Sequence, residues 1–474
     1  MSLDFIKVSL SYISTKYVVL VLNFLRSLII ASALGPSTFG EYAFIVIIME
    51  YMNYSNLGIF HAMNKEVAIN LDKQGKGNYI DRIINNTISF QSLNSLFIGV
   101  LLLIPYLLEV YNFINNPFFD SKYLLYLIFL GTVYQIKSFV FVYLRLYDKF
   151  FDIVKIEFLS AIFVFIGIYF SVNQFGISAI LLVSIIGNLI MIAPALLKIR
   201  FLRFEIEKSI LKHLISLAIP LMLFNFLVLI ITSIDRLMIS FLMPSNKTSL
   251  GIFHFGYLLS YGVMTAFNSA VFLLVPKVLR QFSQKSQDVD LMVDQTKIVE
   301  NIVVLIAVIS IALFPYIINT FVPQYLESIL VMQLLLLAYS INSLSFLTGN
   351  HLIANDLQLR IVPIFVFALI VAVLMNYLSI NAGYGLRGIA IATILTFSFY
   401  SYGTFLVYLQ AINNKKPFSF LINIFWRIFI FTLIAALFLL SESNPIWVVI
   451  LYLIFYGVEA IKLVRKYLPF LSLR

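Results

Sequence analysis

The chain has 474 residues, of which 61% are hydrophobic and only 11% charged, and its formal net charge is +10. Soluble domains carry about 25% charged residues, so this composition belongs to a protein whose solvent is lipid. With no cysteine, disulfides, thiolate metal sites and cysteine nucleophiles are excluded.

A bilayer core needs about 20 apolar residues per helix. That rule predicts fourteen spans, near 13–34, 40–61, 86–108, 123–146, 153–172, 175–198, 213–242, 250–275, 298–320, 328–349, 361–380, 386–411, 421–440 and 445–463. The Met1–Lys16 stretch lacks a cleavable leader pattern, and the first apolar run is a full span. The loops are short, so no soluble domain is expected.

With the N-terminus placed in the cytoplasm, only Lys122, Lys247 and Arg387 fall on the outer side. Arg26, Lys137 and Arg236 fall within spans, and the other 26 of the 32 basic residues lie inside, Arg427 among them. This bias predicts cytoplasmic N- and C-termini and explains the positive charge as topology, not nucleic-acid binding.

The chain also repeats itself. YFSVN at Tyr169–Asn173 recurs as YLSIN at Tyr377–Asn381, 208 positions on, and Asp148 recurs as Asp356 at the same offset. Arg26 leading to Pro36, Ser37 and Gly40 is echoed by Arg236 leading to Pro244, Ser245 and Gly251. The period equals six spans, a parallel repeat about an axis along the membrane normal. The predicted fold is thus an all-α integral membrane protein with two six-helix lobes, 1–200 and 201–412, and two appended helices in 413–474. Two-lobe proteins of this kind hold substrate between the lobes and work by alternating access.

An arginine in mid-span costs about 2.5–3.5 kcal/mol and normally faces a bundle interior or watery cavity. Lys16, Asn23, Arg26 and Ser27 share one face of span one, and Tyr126, Tyr134, Lys137 and Arg145 share one of span four. Span two offers Glu50, Asn53, Tyr54 and His61. Asp235–Arg236 reads as an interfacial pair at the outer end of span seven, and Glu50 as a partner neutralising a base. Basic side chains with tyrosines suit a phosphate or pyrophosphate. The polar run Ser89–Ser95 suits sugar hydroxyls. Arg145 and Arg360 lie at cytoplasmic span ends, as guides on the approach side.

No GxxxxGKS/T, HExxH or nucleophile elbow is present; Gly75-Lys76 sits in a loop without the rest of a phosphate-binding motif. Enzymes that polymerise or ligate surface polysaccharide tend to carry a long outer loop, which is missing. The chain therefore reads as a transporter without a cofactor, not an enzyme.

Arg26 followed by LGPSTFGEYAF (Leu34–Phe44), NLGI (Asn56–Ile59), SIDRLMISFL (Ser233–Leu242) and GYGLRGIAIAT (Gly383–Thr393) resemble the polysaccharide flippases. These are the O-antigen, Wzx-type members of the multidrug/oligosaccharidyl-lipid/polysaccharide (MOP) exporter superfamily, whose fold is MATE-like. The resemblance implies translocation of an undecaprenyl-pyrophosphate-linked oligosaccharide across the bacterial inner membrane. It also implies a polysaccharide polymerase and a chain-length regulator as downstream partners. On this reading Arg26, Lys137, Asn23, Tyr134, Arg145 and Arg360 bind substrate, and Glu50 or Asp235 couples a proton or sodium ion. A cation-coupled multidrug exporter and a flippase for a lipid-linked peptidoglycan precursor are the alternatives, with a polymerase behind them.

Overall fold

A computed structural model describes residues 3–70, 77–111, 120–199, 203–243, 247–272, 289–355, 357–412 and 417–471. The described residues form thirteen helices and no strand. They are α1 (Leu3–Asn53), α2 (Ile59–Asn70), α3 (Gly77–Val110), α4 (Lys122–Leu146), α5 (Phe150–Leu196), α6 (Lys208–Leu242) and α7 (Lys247–Phe272). There follow α8 (Val289–Phe321), α9 (Ser328–Ala354), α10 (Val362–Asn381), α11 (Gly385–Ala411), α12 (Pro417–Leu440) and α13 (Ile446–Leu471). Pro244, Ser245 and Asp356 of the repeat, and the Gly75-Lys76 pair, lie outside the described residues.

Eleven stretches are long and apolar enough to cross a bilayer. Two are too long to cross only once. The 47 residues of α5 would reach about 70 Å, more than twice the ~30 Å of hydrocarbon. Each long helix breaks at a glycine, Gly35 (φ 67°, ψ 168°) in α1 and Gly176 (φ 56°, ψ −134°) in α5. A side chain resists positive φ, and Pro36 after Gly35 cannot continue the hydrogen-bond ladder but suits a new first turn. Counting each of these two twice gives thirteen crossings among the described residues, and α13, 26 residues of mostly apolar helix, follows them. Span pairs one–two and five–six are thus joined through a single glycine rather than a loop.

The chain divides into two compact units. The first is Met1–Leu229 with Met243–Gly251, and the second is Ile230–Leu242 with Ile252–Arg474. At one end of the first unit Phe60, Met63, Ile83, Phe139, Ile153, Ile192 and Leu214 form a dry core. The segment after α5 runs extended along α3, where alternate backbone N–H groups face one way. Arg203 donates to Asn85 Oδ1 (3.1 Å), Glu205 to Ser89 Oγ (2.8 Å) and Glu207 to Asn86 Oδ1 (2.5 Å). Ser89 is consumed here, Gln91 donates to Ser95 Oγ (3.1 Å), and Ser92 donates back to its own helix. The polar run read from the sequence as suited to sugar is therefore largely engaged within the protein.

Also in the first unit, Gly40 of α1 lies against the Lys247 carbonyl and Gly251 against the Pro36 carbonyl. A Cβ at either glycine would collide with that backbone, so the crossing requires both.

The second unit is packed by aromatics. Tyr257 stacks on Tyr261 (5.3 Å), Tyr261 meets Tyr339 edge-on (5.8 Å), and Tyr339 meets Phe397 (5.1 Å). Helices α8, α12 and α13 are joined by a buried ionic knot. Arg427 grips Glu300 through Nε and Nη2, both at 3.1 Å, bonds Glu459, and lies 4.4 Å from the Tyr456 ring centre. Tyr456 donates to Glu300 (2.7 Å), so this carboxylate is fully satisfied. The basic-residue bias had placed Arg427 on the cytoplasmic side; it sits instead inside α12, only 8% exposed. Its acid is 127 residues away, so no local pattern could have announced the pair.

Candidate functional site

The chain kinks at Gly35, and α1 packs beside α4 and α5. This brings together side chains from far apart in sequence. Arg26 is half-buried, and its charge acts on Tyr42, Tyr134 and Lys137. Among the described residues Arg26 makes no hydrogen bond or ion pair. Lys137 donates to Asn188 Oδ1 (2.7 Å) and lies 5.5 Å from the Phe141 ring centre. Asn188 is itself oriented by donating to the Ser184 carbonyl (2.7 Å). At the mouth of the cluster Lys16 pairs with Glu157 at 2.6 Å, and Glu157 acts electrostatically on Lys137.

Arg26, Lys137, Asn23 and Tyr134 thus belong to one neighbourhood, with Asn23 one turn before Arg26 on the same helix. Arg145 does not join it. It is exposed at the end of α4, eight residues or about 12 Å past Lys137 along the axis. Arg360 is exposed in the second unit. Glu50 is half-buried in the second half of α1. The sequence missed Glu157, Asn188 and Tyr42, whose roles depend on cross-helix neighbours. An acid inside an apolar helix was the available signal for Glu157.

The second unit holds the other candidate. Asp235 is 7% exposed and accepts from Asn376 Nδ2 (2.7 Å) and Thr393 Oγ1 (2.6 Å). Arg236 is 1% exposed, with its guanidinium 3.9 Å from the Tyr257 ring centre. The expected interfacial Asp235–Arg236 pair is therefore corrected: successive helical side chains diverge by about 100°, and each binds its own partners in the interior. Asn376 Oδ1 is buried without a hydrogen-bond partner among the described residues. Each oxygen of the buried Asp235 carboxylate thus takes one hydrogen bond, from the Asn376 amide nitrogen and from the Thr393 hydroxyl.

Residues 5–281 match the family described as "Polysaccharide biosynthesis protein". No curated protein matches the chain. Among solved structures it is similar to a lipid II flippase, MurJ, in an inward closed conformation, with 17% identity, 96% of this chain and 99% of that one covered, and TM-score 0.69. It is similar as well to an inward-facing multidrug-resistance MATE transporter of the MOP superfamily (15% identity, 84% and 96% covered, TM-score 0.61). The MATE transporter VcmN of Vibrio cholerae in its bent form is a further match (15% identity, 86% and 98% covered, TM-score 0.56). With more than half of its length matched, the chain belongs to the polysaccharide biosynthesis protein family, on a fold shared with membrane transporters of the MOP superfamily.

Proposed function

We propose that this protein is a flippase that carries a polyprenyl-pyrophosphate-linked oligosaccharide, an O-antigen or capsule repeat unit, across the bacterial inner membrane by alternating access. The observation that supports this most is Arg26, a permanent cation inside a membrane-length helix with no internal hydrogen-bond or ion-pair partner among the described residues. A buried cation without a counter-charge is costly, and an anionic substrate removes that cost. Arg26 presents a planar fork of donors that suits phosphate oxygens in pairs. Lys137, held by Asn188, adds a second charge, and Asn23 and Tyr134 add neutral hydrogen-bonding groups. Arg145 and Arg360 serve as guides on the approach side, outside this cluster.

Glu157 gives the site a resting state. While Lys16 holds it, its charge partly offsets the lysines, and an arriving pyrophosphate competes for the same cations. Moving a dianion outward is favoured by an inside-negative potential by about 2.3 kcal/mol per charge per 100 mV. Asp235 is the better coupling candidate of the two acids, because it is a buried carboxylate held by neutral donors with the Thr393 hydroxyl oxygen beside it. Glu50 is the other.

The test uses a strain lacking the gene, from which lipid-linked oligosaccharide is extracted. The expected result is accumulation of a single repeat unit on its polyprenyl pyrophosphate, with surface polysaccharide lost, reversed by wild type and not by Arg26→Ala. Persistence of polymer would turn the reading to a drug exporter. Accumulation of a peptidoglycan precursor would point to that lipid as the substrate, the activity named for the MurJ fold neighbour. Repeat units already exposed on the outer face would indicate a polymerase, the enzyme the flippase reading places downstream.

A further inference from the structure

One cavity of the first unit lies outside the Arg26 cluster. It has a volume of about 140 Å³ and is walled by the last turn of α4 and both ends of α5. Lys149, Asp152 and Lys155 come from the start of α5, and Lys198 follows its end. Below them the lining turns apolar through Leu159, Ile190 and Met191. Leu159 and Ile190 are exposed in a helix long enough to span the membrane, so lipid covers them. The cavity therefore sits where the apolar belt meets the charged rim, at the end that the basic-residue bias assigns to the cytoplasm.

Its charge is unbalanced. Four other bases of the unit find acids: Lys16 with Glu157, Arg82 with Glu205 and Glu207, Lys122 with Asp120, Lys247 with Glu41. Among the described residues the ammonium groups of Lys149, Lys155 and Lys198 make no hydrogen bond or ion pair. Asp152 is the lone acid lining the same space, which leaves two positive charges over. Three free ammonium groups around one cavity, above a lipid-facing apolar wall, form an amphipathic receptor.

We propose that this cavity binds the headgroup phosphate of an anionic glycerophospholipid from the surrounding leaflet, with its acyl chains lying along Leu159 and Ile190. Basic pockets between helices at the cytoplasmic face are suited to such headgroups. The size decides against the transported substrate. A space of 140 Å³ is well below the roughly 300–1,000 Å³ of pockets for drug-sized ligands and has no room for an oligosaccharide. Free phosphate would be satisfied by the lysines but leaves the apolar wall unused.

The experiment places the full-length protein in phosphatidylcholine nanodiscs titrated with phosphatidylglycerol, and counts retained phosphatidylglycerol by native mass spectrometry. Wild type is expected to retain one molecule above the bulk fraction. Replacing Lys149, Lys155 and Lys198 together by Gln should weaken that retention by about fivefold per lysine removed. The triple Arg variant should keep it, and Lys208→Gln with Lys212→Gln, exposed lysines away from the cavity, should change nothing. Equal retention by wild type and the triple Gln variant overturns the proposal. So does displacement of phosphatidylglycerol by millimolar inorganic phosphate, which would make this an ion site. Displacement by stoichiometric undecaprenyl pyrophosphate also overturns it, because the cavity would then lie on the substrate path. None of these outcomes bears on accumulation of repeat units in the deletion strain, so the two proposals stand or fall separately.

Discussion

Arg26 and Arg427 are both guanidiniums inside membrane-length helices, and the protein treats them in opposite ways. Arg427 has a buried acid, a second carboxylate and an aromatic face, whereas Arg26 has only neighbouring tyrosines and another cation. The first arrangement holds structure, and the second awaits an anion. Removing one partner of a buried pair strands the other, at a cost of about 3–5 kcal/mol. Arg427→Leu is therefore expected to lower the thermal unfolding temperature in detergent markedly. Adding Glu300→Met should recover most of the loss, because the acid then left without a partner, Glu459, is about half exposed whereas Glu300 is fully buried. Arg26→Leu is expected to change stability by less than about 1 kcal/mol while abolishing transport. A transport-competent Arg26→Leu, or one that unfolds as readily as Arg427→Leu, would contradict its assignment. Asp235→Asn should remove any dependence of transport on a cation gradient, read in vesicles with and without that gradient.

At the scale of elements, two contacts in the first unit invite direct tests. Where α1 crosses the start of α7, Gly40 and Gly251 let backbone meet backbone. Gly40→Val puts a branched side chain into the Lys247 carbonyl, and overpacking of this kind costs about 1–3 kcal/mol. Hydrogen exchange in residues 247–251 should quicken accordingly. The extended segment 203–207 is the second case. The Glu207 carboxyl is held below the usual carboxylate range by its hydrogen bond to Arg82, with help from Ser209. A depressed folded pKa means the contribution is complete above the ordinary carboxylate pKa of about 4.3 and is lost as pH falls through the lower folded value. Exchange in 203–207, taken relative to the intrinsic amide rate at each pH, should therefore be slow at pH 7 and rise in acid below pH ~4. In Glu207→Gln that rise should be already present at pH 7 and flat with pH. Both groups are partly exposed, so added salt should mimic part of the effect.

At the scale of the whole molecule, α12 and α13 are tied to α8 by Glu300, Arg427, Tyr456 and the Asn301–Tyr452 bond (3.0 Å). Ending the chain after Ile412 would leave Glu300 without its ionic partner inside α8. The truncated protein should accumulate poorly in the membrane, and Glu300→Gln in the truncation should restore part of the yield on an immunoblot. Much of the architecture was legible in the sequence. Hydropathy and the basic-residue bias depend only on local composition and on the bilayer's thickness, so the membrane-spanning stretches and the all-α class could be read directly. Gly35 and Gly176 were visible too, but not that each joins two spans without a loop, because the chain after a kink is set by packing. The same limit held for the sites. Arg26 and Lys137 stand out against apolar runs, since a charge in lipid is expensive wherever it occurs. Their company could not be read, because Glu157, Asn188 and Tyr42 reach them across helices, and periodicity reports only the face a residue shares with its own neighbours. Likewise Asp235 and Arg236 look like partners in sequence, yet the helix points them apart to Asn376 and Thr393 on one side and Tyr257 on the other. The sequence by itself determined where the chain must lie in lipid and which charges have no business there. Only the tertiary structure decided which of those charges are neutralised, because pairing depends on distances between helices that no local pattern encodes.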